Sequence, residues 1–82
     1  MENNKRPTQV ERVLRYMKEY GSITQVEAME HLGVMRLASR IVELKKSGVA
    51  IYRQMEGRLN RWKEPVTWAR YFLEEQNDEK NS

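Results

Sequence analysis

Arg36, Ser39 and Arg40 lie three and four residues apart in the stretch "GVMRLASRIVELKKSG" between Gly33 and Gly48. Read as one helix, the stretch carries them on one side, with Glu43. An arginine guanidinium donates two parallel hydrogen bonds to a planar acceptor pair such as a phosphate, or O6 and N7 of guanine. A serine hydroxyl donates or accepts at any base edge. Two like charges four residues apart, as Arg36 and Arg40 are, cost an isolated helix roughly 0.2–0.5 kcal/mol. Glu43 offsets part of this from its i,i+3 position to Arg40, and an external anion would offset the rest. Lys45 and Lys46, near the end of the stretch, suit either a phosphate or the negative C-terminal end of the helix dipole.

The other side of this helix, Leu37, Ala38, Ile41 and Leu44, is an apolar stripe and needs a partner. "TQVERVLRYMKEYG" supplies one. Thr8 with Glu11 three residues on forms a capping box, Val10, Val13, Leu14 and Met17 share a face, and Gly21 ends the helix. Leu37, Ile41 and Leu44 are expected to pack on Val13, Leu14 and Met17. The same cap chemistry recurs in "TQVEAMEHLG", where Thr24 and Glu27 open a short second helix with Val26, Ala28, Met29 and Leu32 as its apolar members. Only Gly33 and Val34 remain for the turn into the third helix. Helix, tight glycine turn and helix with an arginine-bearing outer face make a helix-turn-helix unit.

After Gly48 the periodicity changes. "VAIYRQMEGRLNRWKEPVTWARYFL" is rich in β-branched and aromatic residues, and predicts antiparallel strands over Val49–Leu59 and Val66–Leu73 joined by "NRWKEP". Gly57 is expected to mark a bulge. The competing reading of residues 65–76 is a helix opened by Pro65, with Trp68, Phe72 and Glu75 along one side. As a hairpin, the segment extends a basic loop holding Arg58, Arg61 and Lys63, expected to be too mobile to read sequence but suited to straddling phosphates. Trp62, between two cations, would stack on sugar or base, anchor a protein contact, or pack under the loop.

With 82 residues the chain is one small domain, and a deep catalytic cavity is not expected. Residues 1–7 and the acidic end 74–82 read as flexible flanks of a domain over 8–73. There are no cysteines, so hydrophobic packing alone holds the fold. No apolar run has membrane-spanning length, and "MENNKRP" lacks the apolar centre of a signal peptide, which makes the cytoplasm the default location. The net charge of +3 is unevenly spread. Residues 1–32 balance, residues 33–63 carry eight basic side chains against Glu43 and Glu56, and the remainder is net acidic. Positive charge gathered in one segment is the footprint of a polyanion binder, or else a solvated basic face.

Other chemistry finds little support. His31 is the only histidine and has no cysteine or clustered carboxylates beside it, so no metal or other cofactor is expected. It reads as a surface residue contacting Glu27. Ser22, Ser39 and Ser47 have no histidine partner, and the glycines do not form a phosphate-cradling loop.

The run "GSITQVEAMEHLGVMRLASRIVELKKSGVAIYRQM", followed by "ARYFL", resembles the small winged helix-turn-helix domains of bacteriophages and prophages, over about residues 8–73. That resemblance implies a mainly α fold with a small β-hairpin (α+β): a three-helix core, a C-terminal wing, and the third helix in a DNA major groove. Met35 departs from it by standing where such helices often carry a Ser or Thr cap, and "NRWKEP" is an unusual wing. The expected function is a sequence-specific, non-enzymatic DNA-binding regulator. Arg36, Ser39, Arg40, Lys45, Lys46, Arg58, Arg61, Trp62 and Lys63 are its candidate contacts with double-stranded DNA. A homodimer would double the contact. The alternative is a phage protein-binding module that blocks a host protein, such as a defence nuclease, with the same basic surface.

Overall fold

The computed structural model describes residues 7–74. In chain order the elements are α1 (Gln9–Tyr20), β1 (Ser22–Thr24), α2 (Gln25–Glu27), a π-helical segment (Ala28–Leu32), α3 (Leu37–Lys46), β2 (Ile51–Leu59) and β3 (Pro65–Leu73). Residues 65–73 are thus a strand, and the helical alternative for them fails. Apart from Pro7 and Glu74, the expected flexible ends fall outside the described residues. The Glu74 N–H donates to the Ala50 carbonyl (2.9 Å), so the β2–β3 ladder reaches that far.

Both capping boxes form. The Thr8 hydroxyl accepts from the Glu11 N–H (3.1 Å) while the Glu11 carboxylate accepts from the Thr8 N–H (3.0 Å), and Thr24 and Glu27 repeat the exchange. The second helix does not stay α-helical: its last turn widens to π geometry and closes on Gly33 at φ 72°. There the Gly33 N–H reaches the Met29 carbonyl (3.3 Å), an αL closure that needs a left-handed residue, and the Val34 N–H reaches the Ala28 carbonyl (3.0 Å). The closure turns Val34 inward, where it is fully buried.

Val13, Met17, Ile23, Ala28, Val34, Leu37, Ile41, Leu44 and Ile51 form one core, with Val10, Leu14 and Leu32 packed against it. The α1 and α3 stripes therefore meet as expected, with one correction. Ala38 is exposed, because Leu37, Ile41 and Leu44 already fill the narrow strip that faces α1. Val26 and Met29 are also exposed rather than core members, since the inward positions of the second helix are Ala28 and Leu32.

The sheet has order β1-β3-β2, all antiparallel. The three-residue β1 is an unforeseen strand, pairing Ser22 with Phe72, Ile23 with Tyr71 and Thr24 with Arg70. Gly57 is not a bulge, because every β2 residue from Ile51 to Leu59 has one partner on β3. It is a close approach: a Cβ there would lie 2.9 Å from the Val66 carbonyl oxygen and 3.0 Å from Thr67 Cγ2. On the sheet face away from the core, Arg70 ties three elements together. Its Nε donates to Glu56 (2.8 Å) and its Nη1 to the Ser22 hydroxyl (3.1 Å) and the Glu27 carboxylate (3.3 Å), while Trp68 Nε1 donates to the other Glu56 oxygen (2.9 Å). The hydrogen bond from Arg70, more than any other influence, holds the Glu56 carboxyl below its ordinary value.

Two outcomes test this packing. Ile41→Ala should destabilise the fold by roughly 2–5 kcal/mol in a thermal or denaturant melt, a large share of what so small a domain has. Because the Glu56 value is depressed, its contribution is fully present above the ordinary carboxylate range and is lost as pH falls through the lowered value. Melts across that acidic range should show a smaller loss of stability for Glu56→Gln than for the parent.

Candidate nucleic-acid interface

The third helix starts later than its periodicity suggests. Residues 33–36 make the turn, and Arg36 is the N-cap residue, with φ −119° and ψ 69° and no side-chain cap of its own. The cap comes from elsewhere in the chain. Gln25, the first residue of α2, accepts from the Leu37 N–H through Oε1 (2.9 Å) and donates from Nε2 to the Val34 carbonyl (3.0 Å). One side-chain amide thereby satisfies the first N–H of α3 and clamps the turn before it. Arg12 of α1 does the corresponding work at the other side of the turn, donating to the Leu32 carbonyl (3.0 Å). The cap position is therefore Arg36 and not Met35, and with Gln25 supplying the cap the Arg36 side chain is exposed and relieved of capping.

Along α3 the surface falls into rows set by about 3.6 residues per turn. Ala38, Val42 and Lys45 form one row and Ser39, Glu43 and Lys46 the next. All are exposed except Ser39, which is half-buried. Arg36 and Arg40 do not behave alike. Arg40 has only 27% of its side chain exposed, its Nη1 is paired with Glu43 at 3.1 Å, and its Nε is buried without a partner among the described residues. The i,i+3 compensation expected at Glu43 is present, and it commits Arg40 more than Arg36. Lys45 and Lys46 extend from the last turn, where the Ser47 hydroxyl donates to the Leu44 carbonyl (2.9 Å) and the Ser47 N–H to that of Glu43 (3.1 Å).

The wing tip is more organised than a mobile loop. Asn60 Oδ1 accepts from the Trp62 N–H (2.8 Å) and the Glu64 N–H (3.0 Å), and its Nδ2 donates to the Glu64 carboxylate (3.0 Å). Backbone bonds from Asn60 to Glu64 and from Lys63 to Asn60 close the turn, with Lys63 at φ 64°. Arg58, Arg61 and Lys63 are exposed around it. Trp62 is 71% exposed, which rules out packing under the wing, and the Arg61 guanidinium sits 5.6 Å from its ring centroid. The pair presents a cation and an aromatic plane together.

Sequence reasoning missed three features of this surface. Ala38 and Val42 give α3 an apolar outward row, legible only once the core side is known, and small apolar side chains are what meets a thymine methyl group. Arg53, one of the basic residues of segment 33–63, is exposed on β2. His31 stacks on Tyr16, with ring centroids 5.9 Å apart, rather than serving Glu27, whose carboxylate is occupied by the Thr24 N–H and Arg70. No three His, Asp or Glu side chains converge as metal ligands among the described residues, and no described helix is long and apolar enough to cross a membrane.

A family model described as a winged helix-turn-helix domain matches residues 8–76. Domains of this description are typically DNA-binding modules without catalytic activity. No curated protein and no solved structure matches the chain.

Gln25→Ala removes both arms of the clamp and leaves the Leu37 N–H and the Val34 carbonyl without partners, which should cost about 1–3 kcal/mol. Faster hydrogen exchange at the Leu37 amide, measured by NMR, would locate the loss at the start of α3.

Proposed function

As the chain belongs to the winged helix-turn-helix family, we propose that it is a sequence-specific DNA-binding protein, a small transcription regulator of the phage and prophage type and not an enzyme. The observation that carries this reading is the outward surface of α3. Arg36 stands free at its start, Ser39 and Lys46 lie along one row, and Ala38, Val42 and Lys45 along the next. This is a set of side chains suited to a major groove. Arg36 offers two parallel donors to a guanine, Ser39 a hydroxyl to any base, and Ala38 and Val42 apolar contact to thymine. Arg40, braced by Glu43, serves as a second and more constrained donor. Lys45 and Lys46 would hold phosphates.

The wing supplies the rest. Arg58, Arg61 and Lys63 surround a turn that Asn60 makes rigid, so their charges are held out for the DNA backbone at little ordering cost. Trp62 has two uses. Stacking on an unpaired base or sugar agrees with the DNA reading. The second reading, a protein-binding module that occupies a host protein, is favoured by this exposed aromatic, since such residues anchor protein interfaces.

Arg36→Ala should keep the fold and cost about 1–3 kcal/mol on the preferred site while relaxing specificity there. Replacing Arg58, Arg61 and Lys63 together with Ala should weaken specific and non-specific duplexes about equally. Each lost phosphate contact removes about 0.9 from the slope of log affinity against log salt. Titrations of a labelled duplex over a salt series read both effects. Unchanged DNA affinity and salt slope in both variants, with loss of a host protein in co-purification, would make the protein-binding reading the correct one.

A further inference from the structure

Trp62 is the most exposed of the large apolar side chains among the described residues, at 71%. It stands at the tip of the β2–β3 hairpin on a backbone that is fixed from both sides. Asn60 Oδ1 holds its N–H (2.8 Å) and that of Glu64 (3.0 Å), and the Lys63 N–H returns to the Asn60 carbonyl (2.9 Å). None of these bonds uses the indole. One ring face carries the Arg61 guanidinium, 5.6 Å from the centroid, and the exposure leaves the other face open. The second tryptophan is the contrast, since Trp68 is half-buried and its Nε1 donates to Glu56 (2.9 Å).

The charge around the ring restricts what the open face can meet. Arg58, Arg61 and Lys63 are exposed around the turn, and its single carboxylate, Glu64, accepts from Asn60 Nδ2 (3.0 Å). A ligand suited to this tip combines negative charge with a π-face, and a nucleotide carries both in one unit. Within an uninterrupted duplex the π-faces are covered by neighbouring base pairs, so the backbone offers phosphate to the cations and no π-face to the indole. A π-face becomes accessible only where the stack is broken, at a bulge, a fork or an end. We propose that the wing tip is a stacking site for an unpaired base, so that the chain favours duplex DNA carrying such a base over uninterrupted duplex. The base lies on the open face of Trp62 with Arg61 on the other, and Arg58 and Lys63 hold the adjoining phosphates. This inference rests on the DNA-binding reading and adds to it a preference for one DNA structure.

The test titrates the full chain, at one salt concentration, against three labelled duplexes of one sequence whose ends are closed by non-nucleotide linkers. One is uninterrupted, one has a single bulged thymidine, and one has an abasic residue in place of that thymidine. The thymidine bulge should bind roughly 5-fold or more tighter than the uninterrupted duplex, the low end of one base–aromatic stack, and the abasic bulge should not. Trp62→Ala, at a position whose turn bonds use only its backbone, should keep the circular dichroism and the affinity for uninterrupted duplex while losing the preference. Trp62→Phe should retain most of it. Emission from Trp62, read as parent minus Trp62→Phe, should be quenched by the thymidine bulge alone. Equal binding of all three duplexes overturns the proposal and leaves the DNA-binding reading standing. So does a preference that the abasic bulge shares or that survives Trp62→Ala, or an equal loss on all three duplexes in that variant. Absence of binding to every duplex overturns both and assigns Trp62 to the protein-binding reading.

Discussion

The Gln25 side-chain amide is the contact on which the arrangement of the candidate interface depends. By accepting from Leu37 and donating to Val34 it joins the start of α2 to the start of α3 and fixes the four-residue turn between them. Everything downstream follows from that registration. Val34 is held in the core, Leu37, Ile41 and Leu44 are aimed at α1, and the remaining positions of α3 are presented outward. A cap borrowed from another element also frees the residue at the cap position. Had Arg36 been a serine or threonine, its side chain would have been spent on the backbone; as an arginine it remains available.

The basic residues divide by the same logic. Arg12 donates to a helix-end carbonyl, Arg40 is braced by Glu43, and Arg70 joins the sheet to the second helix through Glu56, Ser22 and Glu27. These three hold the structure together. Arg36, Arg58, Arg61 and Lys63 have exposed side chains set on an ordered backbone, the condition for binding an anion without a large ordering cost. Within the positive segment 33–63, Arg40 is thus a structural cation among available ones, and only the contacts separate them.

What could be read from the sequence was what is determined locally. The two capping boxes lie within four residues each, and the Leu37, Ile41 and Leu44 stripe follows from helical spacing. Features set by distant partners were hidden. β1 is three residues long and is a strand only because residues near 70 pair with it. Gly57 reads as a bulge from its neighbours but is a close approach to Val66 and Thr67 across the hairpin. Ala38 resembled a core residue because it adjoins Leu37, and the narrowness of the α1 contact leaves it outside. At the wing, "NRWKEP" gave no hint that Asn60 would organise the turn, since that depends on one side chain reaching two backbone donors at once.

The proposed function puts nucleic acid against the outward surface of α3, supported by the wing. Amide and side-chain NMR shifts of the full chain during titration with a duplex DNA report on that surface. The expected result is a set of perturbations concentrated at Arg36–Lys46 and at Arg58–Lys63, weakening with added salt. Perturbations confined to α1 or to the outer sheet face around Arg70, or none at saturating duplex, would contradict it.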